Sequence, residues 1–597
     1  MQIPNDHESS NSRSGHPHLN DSYSSFDQFP LWEEPDDRSL RNLFYGRFER
    51  GVKGMQRIFR WPFLLFFFTI IFIELILYFV LRAVIYAYET LMSRLFDTHH
   101  ADLVALEEAK TYKDWLDRAK RLDSEMDHDF YKAIDQSPFY SWKTVKTMTR
   151  QLTASANAFQ QNPNRRTILE LEMRLGRSYN ANTASLGIDS ERLYAETFAG
   201  TKNILQRYID TVLEATNLYI GADEKIIPTE RKLENVTRWK ATFGRTALCL
   251  SSGGTIAYYH FGVVRALLRC GRLPQIICGS SGGALVAAVI GTRTDQELGN
   301  ILTPDIHKYL SCCRDSWGTI LSRFFLNNKL FDEKQWRQIS GDLLFDDMTF
   351  KEAYKKTGRI LCITCTSDNK WGAPIVLNYM TTPSVVIRDA VLASSAIPPL
   401  LSPITLMCKT ARGSIQPFVD FGKCWSDGAI KNDIPSKQLA EQFNVNYLIV
   451  SQVNPHIVPF VYECRGSPGC PTRRYGSGLR GGFLFSATEA LLKLDMRKWM
   501  RMISELDLMP MVFSQDWSNL FLQKHWGNVT IYPTRGWRAL YDTVLVVTNP
   551  TYLRMKQYIE TGEHSTYPKI AMIANHFSLE QTLLTAEIRL SHQQAPV

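Results

Sequence analysis

Residues 276–290 read IICGSSGGALVAAVI: a short β-favouring run, then Gly279-Ser280-Ser281-Gly282-Gly283, then small apolar residues suited to a buried helix. This is the order of a nucleophile elbow, in which a strand reverses sharply into a helix. Glycines let backbone approach backbone there, and one serine oxygen is left accessible. The pattern makes Ser281 the candidate nucleophile, flanked by the elbow glycines Gly279 and Gly283. Its place at a helix start would let the helix dipole favour developing negative charge. A serine hydroxyl attacks poorly until a base takes its proton. Asp427 in SDGAIKNDIP, followed by Gly428 and Ala429, lies in a tight loop that would bring a carboxylate directly to the serine. A triad in the order Ser, Asp, His is the other reading, with His456, His525, His564 or His576 as base. Asp433, in the same loop as Asp427, is the runner-up carboxylate and reads first as a turn or cap residue.

The grammar around the elbow is that of an α/β domain over residues 246–450. TALCLSSGG (246–254) precedes the helical YYHFGVVRALLRCG (258–271), and RILCITCTS (359–367), APIVLNY (373–379) and NYLIVSQVN (446–454) supply further strands. Strands alternating with helices predict a mostly parallel sheet with helices on both faces. Residues 100–245 carry charged residues at helical spacing, as in TYKDWLDRAKRLDSEM (111–126), and predict a helical accessory domain. Residues 451–597 return to a mostly helical pattern.

Ahead of these lie two segments of opposite character. Residues 1–55 form a polar tail rich in Ser, Asn, Asp and His, too poor in aliphatics to offset chain entropy, and predict disorder. Residues 56–92 are a hydrophobic membrane anchor built on WPFLLFFFTIIFIELILYFVL (61–81), long enough to cross a bilayer. Arg47, Arg50, Lys53, Arg57 and Arg60 precede it and would hold its amino side in the cytosol. A simple span would then put the body of the chain in a lumen. A hairpin or in-plane insertion keeps both ends on the cytosolic side and suits the unpaired-looking cysteines, so it is the preferred form.

Composition removes several classes. The net charge of +8 comes from 68 basic and 60 acidic residues, without the dense basic stripe of a nucleic-acid binder. The 11 cysteines are irregularly spaced and no signal-peptide pattern opens the chain, against a secreted disulfide framework. Cys362 and Cys365 lack the second pair a zinc site needs, so no metal or other cofactor is expected. No motif designates a protein partner.

Several separated motifs together carry a resemblance. GSSGG with DGA, preceded by the glycine turn LSSGG, resembles the patatin-like phospholipase domain. RTALCLSSGGTIAYYHFGVVRALL (245–268), LPQIICGSSGG (273–283), ASSAIPPLLSP (393–403) and SQVNPH (451–456) look like the fungal triacylglycerol lipases of lipid droplets. TYKDWLDRAKRLD (111–123) and RLYAETFAGTKNILQRYID (192–210) resemble the accessory domain that precedes the catalytic one in that group. The resemblance implies a patatin-like sheet sandwiched by helices and a Ser281–Asp427 dyad without histidine. It also implies an oxyanion hole of backbone N–H groups at Gly253, Gly254 and Thr255. Where plant patatins carry G-G-G-x-K/R-G, this chain has Ser252 for the first glycine, Ile256 for the basic residue and Ala257 for the last glycine. That leaves backbone donors in place and removes a cation. The implied function is hydrolysis of triacylglycerol on a lipid-droplet or endoplasmic-reticulum surface. A phospholipase or lysophospholipase, also capable of acyl transfer, is the alternative on the same machinery. A non-catalytic droplet-anchoring protein is the alternative of another class.

Overall fold

A computed structural model of the chain describes residues 52–96, 99–180, 186–310, 337, 347–367, 374–397, 401–457, 460, 466–471, 483–510, 519–533, 541–542 and 548–594. The polar tail expected over residues 1–55 therefore falls almost wholly outside the described residues.

The chain divides into two compact units, one of residues 1–96 and 473–498, the other of residues 97–472 and 499–597. In the first, α1 (Val52–Phe96) is a single unbroken helix of 45 residues that carries Pro62 inside it. The hairpin form of the anchor is therefore corrected: no turn interrupts the apolar run. Phe59–Tyr88 is long and apolar enough to cross a membrane. Leu64, Phe67, Tyr78, Arg82 and Ile85 are buried along one face, while Leu65, Phe66, Phe72, Ile76 and Leu77 are exposed. On the buried face, Arg82 pairs with Glu489 at 3.0 Å.

The second unit is built on a sheet in the order β4-β3-β2-β1-β8-β9, with β7 also paired to β3. The strands are β1 (Arg245–Leu250), β2 (Ile276–Gly279), β3 (Ile360–Ser367), β4 (Pro374–Leu377), β7 (Trp425–Asp427), β8 (Val445–Ser451) and β9 (Val529–Ile531). β1, β2, β3, β8 and β9 pair in parallel, whereas β4 and β7 run antiparallel to β3. β5 (Met407–Lys409) and β6 (Ile415–Pro417) form a separate hairpin. The sheet is mixed α/β with helices on both faces, as read from the sequence. Its outermost parallel strand, β9, lies beyond residue 450, in the stretch where the sequence pattern showed helix.

Strands buried on both faces explain the near-continuous apolar runs. One face carries Ala247, Cys249, Ile276, Cys278, Ile360, Cys362 and Val450, packed with Leu439 and Phe443. Leu248, Leu250, Ile277 and Ile363 face the other way, into a core that continues through the accessory helices to Leu171, Tyr219 and Trp239. The accessory helices are α2 (Tyr112–Glu125), α3 (Trp142–Gln161), α4 (Arg165–Asn180), α5 (Asn203–Gly221) and α6 (Thr229–Phe243). α3 to α6 and the sheet share one hydrophobic core, whereas Trp115, Ala119 and Leu122 of α2 pack in a smaller cluster with Phe198, Ala266 and Tyr567.

Candidate active site

The glycine turn, the serine elbow and the Asp427 loop gather at the carboxyl ends of β1 and β2 and at the end of β7. β2 ends at Gly279, and Ser281 stands between it and α8 (Gly282–Gly291) with φ 51° and ψ −122°. Positive φ is costly for a residue with a Cβ, and such strain persists only where surrounding structure imposes it. Here close backbone crossing imposes it. A Cβ on Gly283 would lie 2.3 Å from Leu250 O, and one on Gly279 would lie 2.4 Å from Gly283 O. The Ser281 N–H donates to Ser394 Oγ at 2.9 Å, and Ser394 Oγ in turn donates to Thr364 O at 2.8 Å.

Asp427 reaches the serine through strand pairing. Gly279 of β2 pairs with Ile363 of β3, and Asp427 of β7 pairs with Cys365, two residues further on. Because β4 occupies the opposite side of β3, β2 and β7 share one edge and meet end to end. Asp427 is 2% exposed and Ser281 7%. Burial pushes the Asp427 carboxyl up to about 7, against hydrogen bonds from the Ala429 N–H and Ser281, while the nearby Asp433 charge raises it further. The Ala429 N–H donates to Oδ1 at 2.7 Å. Oδ2 has no well-aligned donor, so the Ser281 contact is imperfectly aligned, a geometry common in catalytic pairs before the reacting complex forms. The Asp427 N–H donates to Ala396 O at 3.1 Å.

The glycine turn after β1 lies against the elbow: a Cβ on Gly282 would sit 2.5 Å from Gly254 O and 3.2 Å from Gly254 N. Gly253 precedes a 3-10 turn, Gly254–Tyr258, that contains Thr255. Neither Gly253 nor Gly254 donates its N–H to another group among the described residues. Ile256 and Ala257 are buried, so the positions of the basic residue and last glycine of the plant pattern are filled by core side chains.

The four candidate histidines lie in other surroundings. His456 faces His525 at 5.8 Å between ring centroids, and burial pushes it down to about 4. His564 packs on Tyr567, and His576 stacks on Tyr447 and Phe243. Asp427 is the carboxyl whose acidity Ser281 alters.

Three residues at the site had not been read from the sequence. Ser394 sits in the ASSAIPPLLSP stretch, whose Pro398 to Leu400 are outside the described residues. Asn454 donates through Nδ2 to Asp433 Oδ2 at 2.7 Å. His260 is fully buried, with Nε2 against Ser251 O at 3.0 Å and Nδ1 against Ser451 Oγ at 2.7 Å, and burial pushes it down to about 4. It thus props the glycine turn as a neutral ring. Among the described residues the group with cation-ligand spacing is His99, Asp102 and Glu125, on the accessory helices.

Residues 248–440 match the family model described as patatin-like phospholipase, and residues 98–241 match a domain of unknown function, DUF3336. A patatin-like phospholipase domain-containing protein of Aspergillus clavatus is 39% identical over 547 residues, covering 89% of this chain and 74% of the relative. Its counterpart in Aspergillus niger is 38% identical over 548 residues, covering 90% and 72%. The one in Emericella nidulans is 39% identical over 544 residues, covering 90% and 71%.

Proposed function

Since the chain belongs to the patatin-like phospholipase family, a family of lipid ester hydrolases, we propose that it hydrolyses triacylglycerol with Ser281 and Asp427 as a catalytic dyad. The observation that carries this reading is the end-to-end meeting of β2 and β7, which brings Asp427 beside the strained Ser281. Ser281 Oγ adds to the ester carbonyl carbon while its proton passes to the Asp427 carboxylate. The carbonyl oxygen becomes an oxyanion, met by the backbone N–H groups of Gly253, Gly254 and Thr255. Donors aimed at that oxygen stabilise the transition state by about 3 kcal/mol each. Collapse breaks the bond to the alcohol oxygen, which takes the proton from Asp427 and leaves as diacylglycerol. Water then adds to the acyl-serine, giving its proton to Asp427, and the second collapse returns that proton to Ser281 as fatty acid departs. No metal or cofactor enters these steps.

Charge supports the neutral ester over phospholipid. Asp427 and Asp433 are both buried carboxyls, and among the described residues no cation figures in what sets their acidity. An anionic phosphate brought beside them would meet repulsion without a compensating partner. Ile415, Val419 and Phe421, exposed in the segment leading into β7, form an apolar surface suited to lipid. The apolar helix α1 supports attachment to an endoplasmic-reticulum or lipid-droplet surface, where such a substrate collects.

The test is fatty-acid release from emulsified triacylglycerol and from phosphatidylcholine vesicles by wild type, Ser281→Ala and Asp427→Asn. Triacylglycerol hydrolysis lost in both variants supports the whole reading. Hydrolysis of phosphatidylcholine alone keeps the dyad and replaces the substrate. No hydrolysis of either by wild type transfers the chain to a non-catalytic surface-anchoring role.

A further inference from the structure

We propose that Asp433 is a positioning residue that holds the glycine turn in register with Ser281. Its carboxylate, 2% exposed, accepts from the Ser252 N–H at 3.0 Å through Oδ1 and from Asn454 Nδ2 at 2.7 Å through Oδ2. The Ser252 hydroxyl donates to Asn454 Oδ1 at 2.6 Å, which closes a ring of Asp433, Asn454 and Ser252. Ser280, immediately before Ser281, is near enough to lower the pKa of this carboxyl while its hydroxyl pairs with Thr364 Oγ1 at 2.6 Å. From its backbone N–H, Asp433 donates to Gln523 Oε1 at 2.8 Å, and Gln523 Nε2 donates to Ala429 O at 3.0 Å. One side chain and its peptide thus tie together the exits of β1, β2 and β8 and the turn after Asp427.

A capping role does not account for this arrangement. Asp433 follows the single turn Ala429–Asn432, so it stands at a helix carboxyl end, where the dipole disfavours a negative charge. The carboxylate is held instead by neutral donors, and each comes from a segment that carries part of the site. The Ser252 N–H belongs to the peptide one residue before Gly253, so fixing its direction fixes the aim of the Gly253 and Gly254 N–H groups. Among the described residues the titratable groups coupled to Asp433 are Asp427 and Cys278, and neither can bring a positive charge.

The inference rests on the dyad reading, and the experiment separates the two. Full-length protein in detergent is assayed on a soluble p-nitrophenyl butyrate across pH, as wild type, Ser281→Ala, D433N, N454D and the exchange D433N/N454D. In D433N an amide NH2 faces the NH2 of Asn454, and in N454D two carboxylates meet. The exchange restores one donor opposite one acceptor while leaving Ser252 its acceptor. The expected result is a fall in kcat of about 10–100-fold in each single variant with KM within twofold, and recovery of at least tenfold in the exchange. The acid limb of the rate in D433N moves to lower pH, a shift that loss of packing alone would not produce. A D433N kcat within twofold of wild type, or an exchange no better than the product of the singles, overturns the proposal and leaves the dyad standing. Activity retained in Ser281→Ala overturns the dyad itself. If D433N fails to fold, Asn454→Ala takes its place, with the same kcat loss expected and wild-type kcat as the refuting result.

Discussion

Gly279 and Asp427 occupy one edge of β3 two residues apart, Gly279 opposite Ile363 and Asp427 opposite Cys365. Strand rise makes that separation about 7 Å along the edge. The serine turn leaving β2 and the carboxylate ending β7 must therefore share the gap. A parallel and an antiparallel partner on the same strand edge fix the distance by backbone pairing, and so the nearness of the two side chains.

A base must be ionised to take the serine proton, and burial holds Asp427 up to about 7, with Asp433 and Cys365 the titratable groups facing it. The rate on a soluble ester should be level above pH 8 and fall about tenfold per pH unit below 7. A level rate down to pH 5 would show that another group, or no titrating base, controls the step.

The same shift has a stability cost of opposite sense. The folded state holds the Asp427 proton from its ordinary pKa of 3.8 up to about 7, so stability declines as pH rises through that window and is level above it. Asp427→Asn removes this term and should raise Tm by several degrees at pH 8 while doing little at pH 4. Equal Tm differences at both pH values would contradict the assignment.

Gly283→Ala should be far more harmful than its size suggests, because the added Cβ meets Leu250 O at 2.3 Å and Ser251 O at 2.5 Å. Both contacts are backbone, so β1 and α8 must separate. A loss of about 3 kcal/mol of stability and at least 100-fold in kcat is expected. Near wild-type Tm and kcat would show that the crossing is loose.

In the accessory helices, the fully buried Asp123 accepts from the Phe198 and Ala199 N–H groups at 2.8 and 2.9 Å and from Lys132 Nζ at 2.8 Å. Burial pushes its pKa up, but hydrogen bonds from His128, Lys132, Phe198 and Ala199 outweigh that and hold it below 3.8. Its stabilisation is present above the unfolded pKa and is lost as pH falls through the folded value. Asp123→Asn should cost about 3 kcal/mol at neutral pH, read as a drop in Tm that shrinks toward pH 2.

The apolar face of α1 predicts behaviour in the cell. The chain should stay with the membrane pellet through an alkaline carbonate wash, because about 20 apolar residues suffice to span the hydrocarbon core. Release into the supernatant would reduce α1 to a peripheral contact.

The elbow and Asp427 were legible because their signals are local: glycines at fixed offsets, a strand before and a small-residue helix after. Ser394 was not, since it is 113 residues from the Ser281 N–H it accepts from, and nothing in its neighbourhood marks that pairing. Asn454 and His260 escaped for the same reason, each being defined by partners on other strands. In β9 only Val529, Thr530 and Ile531 pair with β8, too short a run to show an alternating pattern. The unbroken course of α1 through Pro62 was missed because proline ordinarily ends a helix.

β9 also sets a timetable. It joins β8 roughly 80 residues after β8 ends, which at 5–20 residues per second leaves the open edge of β8 waiting about 4–16 s during synthesis. An unpaired, apolar strand edge is a template for wrong pairing. The apolar α1 precedes β8 in the chain, so it has left the ribosome before that edge is made.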